Sequence, residues 1–116
     1  AKPHPRAWGT FARYLGHYSR DVGIMSLEAC VGHLTARAAR RLRLADRGVV
    51  REGYAADLVL FDPETVIDRA TFAEPRTAAA GFEYVFVRGQ RALDAGSPTG
   101  ALAGKALRRR ESGVVS

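Results

Sequence analysis

The stretch from Asp46 to Asp62, DRGVVREGYAADLVLFD, limits what this chain can fold into more than any other. Gly48 and Gly53 bracket the apolar pair Val49-Val50, and Leu58-Val59-Leu60-Phe61 is a continuous apolar run closed by Asp62-Pro63. A run of this length, rich in residues that favour extended backbone and bounded by Gly and Pro, predicts a strand buried on both faces. Between the two apolar pieces, Arg51-Glu52-Gly53-Tyr54 is polar and carries a glycine free to take positive φ. It is expected to turn the chain between two strands.

Length bears directly on that strand. The 116 residues make one ordinary domain, well short of the roughly 250 that a (β/α)8 barrel needs. No apolar run approaches the roughly 18 residues of a membrane span, the chain begins with Ala1, and no signal-peptide core is visible, so a soluble cytoplasmic protein without membrane contact is expected. The single cysteine, Cys30, excludes an internal disulfide and any multi-cysteine zinc site, and reads as a small buried apolar residue.

The formal charge is +6, and Lys2 and Lys105 are the only lysines. The arginines are scattered except for Arg37, Arg40, Arg41 and Arg43, spaced for the solvent side of a helix, and Arg108-Arg109-Arg110, which precede the polar tail from Glu111 to Ser116. No aromatic residues interleave them, so nucleic-acid binding is the weakest of the functional readings.

In chain order, Ala1 to Gly9 holds Pro3 and Pro5 and is expected to be a loop. Thr10 then stands as an N-cap before Phe11, Tyr14, Leu15 and Tyr18, an apolar stripe of a helix reaching about Arg20 that Gly16 weakens slightly. Ser26 caps a second helical stretch, with Leu27, Val31, Leu34, Ala38 and Leu42 on one face. Thr35 leaves open whether this is one bent helix or two. Beyond Asp46 short strands take over, around Val49-Val50, Asp57 to Phe61, Phe82 to Val87, Ala92-Leu93 and Ala106-Leu107. Val87-Arg88-Gly89-Gln90-Arg91 supplies a tight hairpin turn, and Asp62 to Gly81 is a long excursion. Asp57, at a strand entry, is expected to accept backbone N–H bonds from the preceding turn.

Metal-assisted hydrolysis needs about three ligands from His, Cys or carboxylate. His4, His17 and His33 lack any such spacing, Cys30 has no local partner, and no nucleophile motif is present. Gly100 to Lys105 is one residue short of a phosphate loop and is followed by Ala106 where Ser or Thr is required. The strands, too, are expected to be buried on both faces with too little sequence to cover them. The chain is therefore a piece of something larger, or else it finds its missing neighbours in another copy of itself.

Gly48-x-Val50-x-x-Gly53-x-x-Ala56-Asp57-Leu58-Val59 resembles the pattern with which metal-dependent amidohydrolases leave the catalytic barrel and re-enter their small β-domain. His4-Pro5-Arg6-x-x-Gly9-Thr10-Phe11, Ala70-Thr71-Phe72-x-x-Pro75, Val85-x-Val87-x-Gly89 and Thr99-Gly100-x-x-x-Gly104-Lys105-x-Leu107-Arg108, in that order, resemble the C-terminal segment of N-acyl-D-amino-acid deacylases (D-aminoacylases). The resemblance implies an α+β fragment. Residues 1–44 would be the loop and helices closing a (β/α)8 barrel, and residues 45–116 the short strands of a small β-sandwich domain with a polar tail. It also implies a zinc-dependent hydrolase of N-acyl-D-amino acids, whose metal ligands and catalytic aspartate precede the position of His4. This chain alone would then bind no zinc, be inactive, and have the rest of the polypeptide as its partner.

By the same resemblance Arg6 matches an arginine at the barrel mouth, where its planar fork suits the carboxylate of a small N-acyl amino acid, and His4 positions that loop. The family often has Tyr at Trp8 and a proline near Ala38, departures that do not touch the chemistry. A self-associating structural module without catalysis, a homo-oligomer, is the alternative.

Overall fold

The computed structural model describes residues 1–108. Three α-helices, α1 (Arg6–Arg13), α2 (Leu27–Leu34) and α3 (Ala36–Arg41), and one π-helix, π1 (Tyr14–Asp21), precede four strands, β1 (Leu58–Phe61), β2 (Phe82–Val87), β3 (Gln90–Asp94) and β4 (Ser97–Pro98). The α+β class expected from the sequence is what the chain adopts, with helices first and a four-stranded sheet after. The chain forms two compact units that interleave along the sequence, residues 1–30 with 61–82 and residues 31–60 with 83 onward.

In the first unit, helix begins earlier than the prolines suggested. Pro5 sits at φ −54° at the N-cap of α1, a value already right for helix, and a proline costs nothing in the first turn because that N–H has no intrahelical partner. Arg6 to Gly9 are therefore helical, not loop. Thr10 is not a cap: it lies inside α1, and its hydroxyl donates back to the Arg6 carbonyl at 2.6 Å. From Tyr14 the helix widens into π1, with Val22 N–H reaching the His17 carbonyl at 2.9 Å. The inward face keeps a three-four spacing, displaced by one residue from Phe11 and Tyr18 of the aromatic stripe.

Burial accordingly falls on small residues. Gly9, Ala12, Leu15, Gly16 and Ser19 face inward, whereas Phe11 is 68% exposed. Gly16 permits the closest approach, since a Cβ there would collide with the Val66 carbonyl oxygen. Arg20 tightens the same junction by donating to the carbonyls of Val66 (2.8 Å) and Pro63 (3.2 Å). The excursion after β1 is thus packed: Val66 is fully buried, and Ile67 pairs with Ala80 in an isolated antiparallel bridge. Ser26 does cap α2, accepting the Ala29 N–H at 3.1 Å, and Cys30 is fully buried as expected.

Thr35, at φ −125° and ψ −85°, separates α2 from α3 and makes two helices of the second stretch. Leu27, Val31 and Leu34 are half-buried, while Ala38 and Leu42 are exposed and Ala39 is buried instead, so the single stripe ends at Thr35. Ala39 meets Gly48, where an added Cβ would lie 2.6 Å from the alanine's own. Arg37, Arg40 and Arg41 are exposed on α3, as the spacing predicted for several of the group, and Arg43 is exposed beyond its end. Arg109, Arg110 and the tail from Glu111 to Ser116 lie outside the described residues.

The sheet has the order β1-β2-β3-β4, with β2, β3 and β4 antiparallel. Arg88 and Gly89, both at positive φ (52° and 79°), make the predicted tight turn, and Val87 pairs with Gln90. A second such turn, Ala95-Gly96, leads into β4, a strand the sequence did not announce. Ala106-Leu107 forms no strand. Arg51 to Tyr54 turns as expected, closed by Tyr54 N–H on the Arg51 carbonyl at 3.1 Å, but Val49-Val50 forms no strand before it and Val50 is 86% exposed.

β1 shows the shortfall of cover that its sequence anticipated. Instead of being buried on both faces, Val59 and Leu60 are 54% and 56% exposed. A continuous apolar run says only that a strand is meant to be covered; among the described residues nothing covers it fully. Asp57 does hold backbone, but its Oδ1 accepts the Arg88 N–H (2.9 Å) of the β2–β3 turn rather than a donor from the preceding one. Its Oδ2 takes Arg47 Nε at 3.1 Å, and Arg47 also reaches Asp46 at 2.9 Å. No helix among the described residues is long and apolar enough to cross a membrane.

Candidate functional site

The first turn of α1 places the two residues singled out by the sequence side by side. A helix start leaves four N–H groups without partners. Arg6 N–H finds His4 Nδ1 at 3.1 Å, Ala7 N–H the His4 carbonyl at 3.0 Å, and the N–H groups of Trp8 and Gly9 the Pro5 carbonyl at 3.1 and 3.2 Å. The His4 ring stands edge-on to Phe72, centroids 5.0 Å apart. His4 therefore ties the helix start to the Phe72 segment, and Arg6 projects from that start, exposed and with no side-chain acceptor among the described residues.

These residues line a cleft of about 570 Å³ within the first unit. Arg13 lies two turns along from Arg6 on the same face of the helix, and lines the cleft with it. Asp68, on the far wall, is 3.7 Å from Arg13. Gly9 allows this approach, because a Cβ in its place would stand 2.8 Å from that of Asp68. The Arg13 guanidinium also lies over the Tyr18 ring, 5.5 Å from its centroid. Aromatic walls and a few polar groups with a free guanidinium are a binding geometry for a small carboxylate.

Among the described residues the threonine hydroxyl groups of the cleft are engaged locally. The Thr10 hydroxyl is committed to Arg6, and Thr71 Oγ1 accepts the Glu74 N–H at 2.9 Å. His17 packs on Tyr18, and His33 meets Arg37 at 3.0 Å. Among the described residues no three His, Cys, Asp or Glu side chains gather as metal ligands, so the donor set does not fit a zinc site. Cys30 is buried, and desolvation pushes its thiol above the ordinary value, with the neighbouring Ser19 hydroxyl acting the other way. Asp21, by contrast, is held below the usual carboxylate range by its hydrogen bond from Arg20.

Sequence reasoning had picked out Arg6 and His4 but not Arg13 or Asp68. The seven-residue spacing of the two arginines on one helix carried a signal for Arg13. Asp68 carried none, because it reaches the cleft only through the folding of the Asp62 to Gly81 excursion.

An amidohydrolase-family profile matches residues 1–92. A D-aminoacylase of Alcaligenes xylosoxydans xylosoxydans is 50% identical over 108 residues, 93% of this chain and 22% of that protein. An N-acyl-D-glutamate deacylase of the same organism is 47% identical over 112 residues, 97% of this chain and 23% of that protein. Among solved structures, a D-aminoacylase described as defining a novel subset of amidohydrolases superposes with a TM-score of 0.85 at 53% identity, covering 88% of this chain and 22% of that one. The N-acyl-D-glutamate deacylase from Bordetella bronchiseptica, complexed with zinc and a phosphonate mimic of the tetrahedral intermediate, gives 0.78 at 46% identity over 84% of this chain and 22% of that one.

Proposed function

The chain belongs to the amidohydrolase family, and on that premise we propose that it is the C-terminal portion of a zinc-dependent N-acyl-D-amino-acid deacylase. The observation that carries this reading is a likeness near 50% identity that runs over more than nine-tenths of the chain and onto two deacylases. Residues 1–44 then close a (β/α)8 barrel and residues from 45 onward complete a small β-domain. The uncovered apolar face of β1 supports a covering by the remainder of the same polypeptide.

In this reading the zinc ligands and the catalytic aspartate come from the rest of the protein, and the residues described contribute binding. Arg6 offers its planar fork to the substrate carboxylate, a bidentate pairing that orients the amide for attack. His4 is a positioning residue: by accepting the Arg6 N–H and bracing against Phe72 it fixes where that fork points.

The test is kinetic, in a protein carrying this chain together with the remaining length typical of its relatives. Such a protein is expected to hydrolyse N-acetyl-D-amino acids, and Arg6→Ala to lower kcat/KM by about 1.5 to 3 kcal/mol, the scale of a hydrogen bond to a charged group. A folded, zinc-loaded protein that hydrolyses none of them overturns the activity. Wild-type kinetics in the variant would return Arg6 to an ordinary surface arginine.

A further inference from the structure

The loop between β1 and β2 comes from the half of the sequence that builds the sheet, yet Asp68, Ala70, Thr71 and Phe72 of that loop form the far wall of the Arg6 cleft. The loop is stiffened at both ends. At its base Ile67 and Ala80 exchange both backbone hydrogen bonds, at 3.2 and 2.9 Å. At its tip the Thr71 N–H donates to the Glu74 carbonyl at 3.1 Å, and Thr71 Oγ1 accepts the Glu74 N–H at 2.9 Å. Ala70 and Pro75, on either side of the tip, are buried. Phe72, on the tip itself, is 75% exposed and sets its ring against that of His4. Lys2 Nζ adds a second tie between the tip and the residues ahead of α1, donating to the Ala73 carbonyl at 3.1 Å.

Arg6 depends on such a hold. Its guanidinium has no side-chain acceptor among the described residues, so the backbone that carries it decides where it points. Bidentate pairing with a carboxylate tolerates little misplacement. We infer that Phe72 is a positioning residue for Arg6, acting through His4. The stiff turn from Thr71 to Glu74 places the His4 ring, and His4 Nδ1, accepting the Arg6 N–H at 3.1 Å, places the first turn of α1. This rests on the reading of Arg6 as the carboxylate anchor. The sheet half of the sequence then serves substrate binding without supplying a group that touches the substrate, as a supporting shell does for the residues it orients.

A double-mutant cycle tests this, in the protein carrying this chain together with the remaining length of its relatives and with N-acetyl-D-amino acids as substrates. Phe72→Ala is expected to lower kcat/KM about tenfold when Arg6 is present, and by no more than about twofold once Arg6→Ala has been made, because nothing is then left to position. Phe72→Tyr keeps the ring edge and should restore the wild-type value. Thr71→Val takes the acceptor from the Glu74 N–H and loosens the tip. It should cost about threefold, again only beside an intact Arg6, and it reads the same coupling if Phe72→Ala folds poorly. A ring that merely stabilised the fold would give the same loss in both backgrounds. Such additive losses, or wild-type kinetics in both Phe72→Ala and Thr71→Val, overturn the inference and leave Arg6 as anchor. Wild-type kinetics in Arg6→Ala, or a wild-type protein that hydrolyses none of these substrates, overturns the earlier reading and the inference with it.

Discussion

The first unit and the second handle apolar sequence in opposite ways. In the first, small residues bring backbone against backbone, as where Gly16 meets Val66 and where Gly81, at φ +88°, lies against the Val66 backbone. The result is a set of fully or nearly buried residues, among them Ala12, Leu15, Cys30 and Val66. In the second, apart from Ala39 against Gly48, order comes from hydrogen-bonded turns and from Asp57, which joins the β2–β3 turn to Arg47, while the most apolar stretch of the chain stays exposed. Burial here follows from available partners: close approach needs only small residues already in the chain, whereas covering a flat apolar strand needs a second layer.

That contrast can be broken at its strongest point. Gly16→Ala is expected to destabilise the chain by about 3 kcal/mol, since backbone rather than a movable side chain would have to yield. Gly32→Ala, in α2 where an added Cβ meets nothing within 4 Å, should instead stabilise by about 0.5 to 1 kcal/mol through helix propensity. Urea denaturation of the two variants checks both signs. Equal effects would show that the glycines are not used differently.

The polar side of the comparison gives a smaller effect. Asp57→Ala removes the acceptor of the Arg88 N–H and one partner of Arg47, and should cost about 1 to 2 kcal/mol, with amide exchange accelerated at Arg88 and Gly89. Asp57→Asn keeps an acceptor for the turn and should cost less. If both cost nothing, the β2–β3 hairpin holds itself and the carboxylate is incidental.

The smallest effect belongs to the exposed strand, and it sharpens the comparison most. Val59→Thr in this chain alone should change stability by no more than about 0.5 kcal/mol, as for other exposed positions. In the protein at the full length of its relatives the same change should cost about 1 to 2 kcal/mol, because there a covered methyl group is lost. Equal values in the two settings would mean that β1 remains uncovered in both.

How much was legible in the sequence depended on how local the deciding physics was. The Ser26 cap, the Arg88-Gly89 turn, the end of β1 at Asp62-Pro63 and the burial of Cys30 were readable because each rests on neighbouring residues or on one side chain's own chemistry. The start of α1 was misread by treating Pro5 as a breaker, although its fixed φ suits a first turn. The aromatic stripe was misplaced by one residue: Ala12 and Ser19, small enough for close approach, face inward in place of Phe11 and Tyr18. Arg6 and His4, which line the cleft, were singled out through a motif carried within a few residues, while Asp68 was invisible, being brought to Arg13 only by the fold.

The sequence by itself determined the class of the chain, its order of helices before strands, and a strand at Leu58 to Phe61 too apolar to be left to water. Only the tertiary structure decided which residues are buried, where Asp57 spends its hydrogen bonds, and which charge in the cleft is left over. Propensity and pattern act between near neighbours and survive in a sequence read alone. Burial and electrostatic pairing depend on which distant segments meet, and no run of neighbouring residues records that.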